Sequence, residues 1–226
     1  MPKTEEYKAP HLELHEVIIT QNQEISPEVH LISWKRTSDF HPGQVVKISV
    51  DTETAPRIYS ISSGNDDSEI SVLFNVKHDG HLTPKLAGMI PGMKIWATKP
   101  YGSFTDTKKP AWWIATGTGI APFYSMFRSG MAANKTLIHG VRKLNQFYFE
   151  DELEWAMGDR YIRCCSQEES CNVFPGRVTK YLSERNDLPA TINYYLCGKA
   201  LMVVEVRDLL IAKGVPYQNI LAEIYF

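Results

Sequence analysis

Two glycines, Gly117 and Gly119, separate an apolar run, Ala111-Trp112-Trp113-Ile114-Ala115, from Ile120-Ala121-Pro122-Phe123. Glycine adopts backbone angles closed to other residues and lets a second molecule approach the main chain. Proline suits the first turn of a helix, where its missing N–H leaves no bond unmade. A helix N-terminus offers unpaired N–H groups and partial positive charge, a combination that favours phosphate. By itself the segment reads equally as a phosphate cradle, with Thr118 at its centre, or as a bare strand-to-helix turn.

Four other segments carry chemistry-bearing residues. Arg57-Ile58-Tyr59-Ser60 joins a cation, a ring and a hydroxyl, which suits a ligand with a pyrophosphate and a planar ring system. Strand alternation places Arg57 and Tyr59 on one face and Ile58 and Ser60 on the other. Gly80-His81-Leu82-Thr83 precedes a short helix, either as a second phosphate cradle or as a plain N-cap by Thr83. Arg142 ends His139-Gly140-Val141-Arg142, at a point where an NAD site carries an acid and a 2′-phosphate site carries a cation. The alternative for Arg142 is a solvated surface side chain. Cys197-Gly198 closes the apolar run Tyr194-Tyr195-Leu196, where a cysteine serves most often as a small packed hydrophobe. Neither the histidines nor the four cysteines show metal-ligand spacing, so no metal site is expected.

These residues need two kinds of scaffold. Over residues 12–104 short alternating segments (12–20, 29–34, 44–50, 57–62, 70–76 and 94–98) are separated by turn signals such as His41-Pro42-Gly43 and Pro91-Gly92. They predict an antiparallel β-barrel interrupted by one short helix at 83–87. From Lys108 onward strands (112–115, 136–141, 161–165, 192–197 and 222–225) alternate with helices (122–131, 146–157, 177–185 and 200–213). That alternation predicts a parallel sheet with helices on both faces. The expected division is 1–106 and 107–226, across a polar connector at 106–109.

Bulk composition narrows the class. The chain has 226 residues, 43% of them hydrophobic, with a formal net charge of −2, so nothing favours nucleic acid or an anionic membrane surface. No apolar run approaches the length of a membrane span. The N-terminus, Met1 to Lys8, is polar and bears acids, unlike a secretory signal, so a cytoplasmic protein with reduced thiols is expected.

Taken in order, Arg57-x-Tyr59-Ser60, Gly80-x-x-Thr83, Gly117-Thr118-Gly119-Ile120-Ala121-Pro122, Cys197-Gly198 and Glu223-Ile224-Tyr225-Phe226 resemble the ferredoxin–NADP reductase family, nearest its short bacterial ferredoxin or flavodoxin reductases. The resemblance covers nearly the whole chain. It implies an FAD-binding barrel followed by an NADP(H)-binding α/β domain, with electrons passing between NADPH and ferredoxin or flavodoxin. By that resemblance Arg57 and residues Gly80, His81, Leu82 and Thr83 hold the FAD pyrophosphate, Tyr59 lies against the isoalloxazine and Ser60 bonds near its N5. Gly117 to Pro122 and Gly198 receive the nicotinamide nucleotide. Cys197 and Glu223 border the reacting atoms, and Tyr225 and Phe226 cover the flavin or meet its adenine half. One departure concerns the third strand: where NADP-dependent bacterial members carry Ser/Thr-Arg-Glu, this chain has Ser166-Gln167-Glu168. Arg142 and Arg177 still match, so NADP(H) is favoured with NAD(H) possible. Competing readings are a flavin reductase using free flavin, an electron-transfer subunit of a larger complex, and a nucleotide-binding redox sensor.

Overall fold

The computed structural model describes residues 13–225. The first half contains β1 (Leu14–Ser26), β2 (Val29–Lys35), β3 (Val45–Ser49), β4 (Arg57–Ser60), β5 (Glu69–Asn75), α1 (Thr83–Ala87) and β6 (Lys94–Thr98). The strands form one antiparallel sheet in the order β4-β3-β6-β1-β2-β5. A bridge between Ile61 and Val72 joins the two outer strands and closes the sheet on itself. Closure removes both unpaired edges, which otherwise invite pairing with another chain. Inside lie Ile19, Ile32, Trp34, Val46, Ile48, Val72, Phe74 and Ile95, all buried.

The second half contains β7 (Ala111–Thr116), α2 (Ala121–Arg128), β8 (Lys135–Val141), α3 (Glu150–Met157), β9 (Tyr161–Cys165), β10 (Phe174–Pro175), α4 (Val178–Glu184), β11 (Asn193–Lys199), α5 (Ala200–Ala212) and β12 (Ile220–Tyr225). Its strands are all parallel, in the order β10-β9-β8-β7-β11-β12. The chain winds outward from β7 to β10, then returns to the other side of β7 through β11. Strand order therefore reverses between β7 and β11, and the crevice beyond the carboxyl ends there is where open α/β sheets bind ligands.

The expected elements are present, with two differences. The helix expected from Gln146 starts at Glu150: residues 144–146 form a 3-10 turn, and Phe149 sits at φ 63, a conformation the apolar pattern does not signal. The two-residue strand β10 was not expected, being too short for any periodicity.

The connector at 106–109 holds a finding that polarity alone conceals. The Asp106 side chain is fully buried with that of Lys135, whose ammonium donates to it at 2.7 Å, and Trp113 Nε1 donates to the same carboxylate at 2.8 Å. Lys135 also donates to the Lys109 carbonyl, so the connector is anchored to β8. One of the core clusters spans both halves: Val29, Leu73 and Phe104 pack with Trp113, Phe123 and Tyr195. The Phe104 ring meets Phe123 and Tyr195 edge-on, with centroids 5.9 and 5.7 Å apart.

Candidate functional site

Val45 organises the barrel side of the site. It pairs with Ser60 on one side and Tyr101 on the other. Directly paired residues in an antiparallel ladder project to the same face, so Ser60, Val45 and Tyr101 form one row. Ser60 is 2% exposed and ends β4. Tyr59, on the opposite face, is half-buried with its ring edge-on to Phe74 at 6.2 Å, and burial pushes its phenol up to about 12. Arg57 is exposed.

The parallel sheet brings β12 to this row. Cys197 on β11 lies in register between Ala115 and Glu223. Ser60 Oγ donates to Glu223 Oε1, and Tyr225 OH donates to Ser60 Oγ at 2.7 Å. Burial raises the Glu223 carboxyl above its ordinary value, opposed by the Ser60 hydrogen bond. The Cys197 thiol is fully buried and pushed well up, first by burial and then by the charge of Glu223. It is a neutral packing group there and no thiolate nucleophile.

The glycine turn stands at the strand-order reversal. Residues 117–120 form a 3-10 turn that runs directly into α2. Gly117 takes φ +54 with open space around its missing Cβ, whereas a Cβ on Gly119 would meet the Cys197 carbonyl oxygen at 2.4 Å. The second glycine therefore lets the turn seat on β11, and the first leaves the main chain open to a ligand. Thr118 is partly exposed, while Ile120, Ala121 and Pro122 are buried.

At the Gly80 turn, Thr83 Oγ1 accepts the Lys77 N–H at 2.8 Å and does not cap α1. Its own proton remains free to donate. Leu82 is core, and His81 is exposed. Arg142 and Arg177 are exposed at the ends of β8 and the start of α4. Sequence reasoning missed Lys199, the residue after Cys197-Gly198. It is exposed, and its ammonium is lowered by desolvation and by the neighbouring charges of Arg142 and Lys77. Its position directly behind the Cys-Gly pair was the available signal. The Ser166-Gln167-Glu168 segment braces the turn after β8: Glu168 accepts the Leu144 N–H at 2.7 Å, and the Gln167 N–H donates to the Arg142 carbonyl at 3.0 Å. Phe226 lies outside the described residues.

Two buried hydroxyls, Tyr101 OH and Thr116 Oγ1, have no hydrogen-bond partner. Such atoms are costly unless something bonds them. One is in the Ser60 row and the other immediately precedes the glycine turn. Together with the open main chain at Gly117, they fit a ring system with polar edges beside Ser60 and a nucleotide over the turn. Among the described residues no three His, Cys, Asp or Glu side chains gather to hold a metal ion, and no helix is long and apolar enough to cross a membrane.

Comparisons with known proteins agree with this two-part fold. A family model described as an oxidoreductase NAD-binding domain matches residues 113–208. The chain is 29% identical to ferredoxin–NADP reductase B of Sorangium cellulosum, over 89% of this chain and 93% of that protein. It is 28% identical to the toluate 1,2-dioxygenase electron transfer component of Pseudomonas putida, over 91% of this chain and 66% of that protein. The chain thus spans about two thirds or less of the dioxygenase components it matches. A ferredoxin NADP+ reductase from Neisseria gonorrhoeae, solved with FAD and NADP bound, superposes with a TM-score of 0.85 at 20% identity, covering 94% of this chain and 99% of that one.

Proposed function

We propose that the chain is a flavoprotein oxidoreductase of the ferredoxin–NADP reductase family, moving electrons between NADPH and a one-electron carrier, ferredoxin or flavodoxin. The observation that supports this most is the hydrogen-bonded set Tyr225–Ser60–Glu223, which joins the two halves beside the glycine turn. FAD, when bound, accepts electrons as a pair and releases them singly, which is what a nicotinamide-to-carrier reaction requires.

The chain's own residues do the positioning. Residues 1–106 would hold the flavin: Arg57 and the Gly80–Thr83 turn at its pyrophosphate, Tyr59 and Ser60 at its ring. The Thr83 proton is free to donate because its oxygen already accepts from Lys77. Residues 107–226 would hold the nicotinamide nucleotide, with Gly117 to Pro122 under it and Gly198 beside it. Arg142, Arg177 and Lys199 supply positive charge for its phosphates. Glu223 keeps the Ser60 hydroxyl directed, and neutral Cys197 packs beside them without adding charge. Tyr225 covers the Ser60 hydroxyl and must give up that hydrogen bond for a ring to reach it, a gating movement of one side chain.

A second reading, in which the acceptor is an oxygenase or dehydrogenase partner protein, is favoured by the match over 221 residues to the toluate dioxygenase component and by matches to dihydroorotate dehydrogenase B electron transfer subunits. One experiment separates these readings from the remainder. Purified protein is expected to keep a yellow flavin spectrum through gel filtration, and stopped-flow mixing to bleach it faster with NADPH than with NADH. Colourless protein that still oxidises NADPH with added free flavin makes it a flavin reductase instead. Equal rates with the two nucleotides overturn the role given to Arg142.

A further inference from the structure

His139 lies in β8 with its side chain fully buried, and nothing in the proposed reaction uses it. Its register partners are Ala115 on β7 and Arg163 on β9. The ring contacts Phe147, Tyr148 and Tyr161. Its two nitrogens have fixed partners: Nε2 is 3.2 Å from the Gly117 carbonyl oxygen, and Nδ1 is 3.2 Å from the Tyr161 hydroxyl. A carbonyl oxygen only accepts, so Nε2 carries the proton, and Nδ1 of the neutral ring accepts from Tyr161. Burial holds the ring neutral, pushing it down to about 4.

The consequence lies in the next peptide unit. The C=O of Gly117 and the N–H of Thr118 belong to one planar trans peptide and point in opposite directions. Drawing the Gly117 oxygen inward to His139 therefore turns the Thr118 N–H outward, into the crevice beyond β7. Gly117 can accept this orientation at φ +54 because it has no Cβ. We propose that His139 is a positioning residue for nucleotide binding: it fixes the Gly117–Thr118 peptide so that the Thr118 N–H is presented to an acceptor oxygen of the nicotinamide nucleotide.

This inference rests on the nicotinamide-nucleotide reading of the turn, and its test separates the two. Nucleotide affinity is measured by isothermal titration on the flavin-loaded protein and on two variants, His139→Phe and His139→Gln, with melting temperature and flavin spectrum recorded for each. Phenylalanine keeps a ring among Phe147 and Tyr161 but loses the donor. Glutamine carries an amide N–H near the Nε2 position. His139→Phe is expected to raise the dissociation constant about tenfold with the flavin spectrum unchanged, the loss of roughly one hydrogen bond. His139→Gln is expected to recover most of that loss. Equal affinity in wild type and His139→Phe overturns the proposal, as does an equal loss in both variants, which marks the ring as packing only. Wild type that binds neither NADPH nor NADH overturns the underlying reading of the turn instead. Should His139→Phe fail to fold, the amide resonance of Thr118 in 15N-labelled wild type decides: a downfield shift on adding nucleotide supports the proposal, and an unmoved resonance overturns it.

Discussion

Ser60, the last residue of β4, donates its hydroxyl proton to Glu223 on β12, a residue 163 positions further along the chain. Two segments with different folding rules thus meet at one carboxylate. Removing the donor leaves the half-buried Glu223 carboxylate without its Ser60 hydrogen bond. Ser60→Ala is expected to keep the fold and the flavin while slowing flavin reduction by roughly 10- to 100-fold, the range for a lost hydrogen bond to a charged group. Stopped-flow reduction with NADPH checks it.

Glu223 gives a prediction with a definite sign. Its carboxyl is raised in the folded state by burial, so the folded protein binds its proton more tightly than the unfolded chain does. The stability associated with that proton is present below the unfolded value and is lost as pH rises through the folded one. Glu223→Gln removes the charge and keeps an oxygen for Ser60. Its melting temperature should exceed wild type at pH 7 and converge with it near pH 4, while its turnover falls. Melting curves at the two pH values, with parallel rates, test the pair of effects.

His139 acts in the opposite direction. Its folded value of about 4 lies below the ordinary 6.5, so between those values the unfolded chain binds the extra proton. Stability therefore rises with pH across that window and is lost as pH falls from 6.5 toward 4, by about 3 kcal/mol in all. Urea unfolding from pH 7 to pH 4 should show this slope, and His139→Phe should flatten it.

The Asp106–Lys135 pair has neither side chain exposed. Lys135→Met leaves a buried carboxylate with only the Trp113 and Lys108 N–H groups, a loss of about 3–5 kcal/mol. The double variant Lys135→Met, Asp106→Leu removes both charges and should recover a large part of it. Urea denaturation of wild type and the two variants measures the loss and its recovery.

Much of this molecule is legible in local pattern, and the remainder depends on distant partners. Alternation in Val45–Ser49 and Glu69–Asn75 and the apolar run of β7 announce two kinds of sheet because each is decided by residues close in sequence. The glycine turn is readable for the same reason. Asp106 was not: a polar residue between two threonines, just ahead of Lys108 and Lys109, looks solvated until Lys135 and Trp113 arrive from elsewhere. Tyr101 is an ordinary loop residue and Thr116 an ordinary strand end until pairing places their hydroxyls where no protein group meets them. His139 reads as one strand residue among several, because its partner Gly117 is 22 positions away and belongs to the turn it supports.

The core shared by Val29, Leu73, Phe104, Trp113, Phe123 and Tyr195 bears on how such proteins can be recombined. A chimera joined at the connector inherits half of that core and one end of the Asp106–Lys135 pair from each parent. The halves are distinct in architecture but not interchangeable parts. A workable crossover must carry the facing aromatic set and the buried charge pair together.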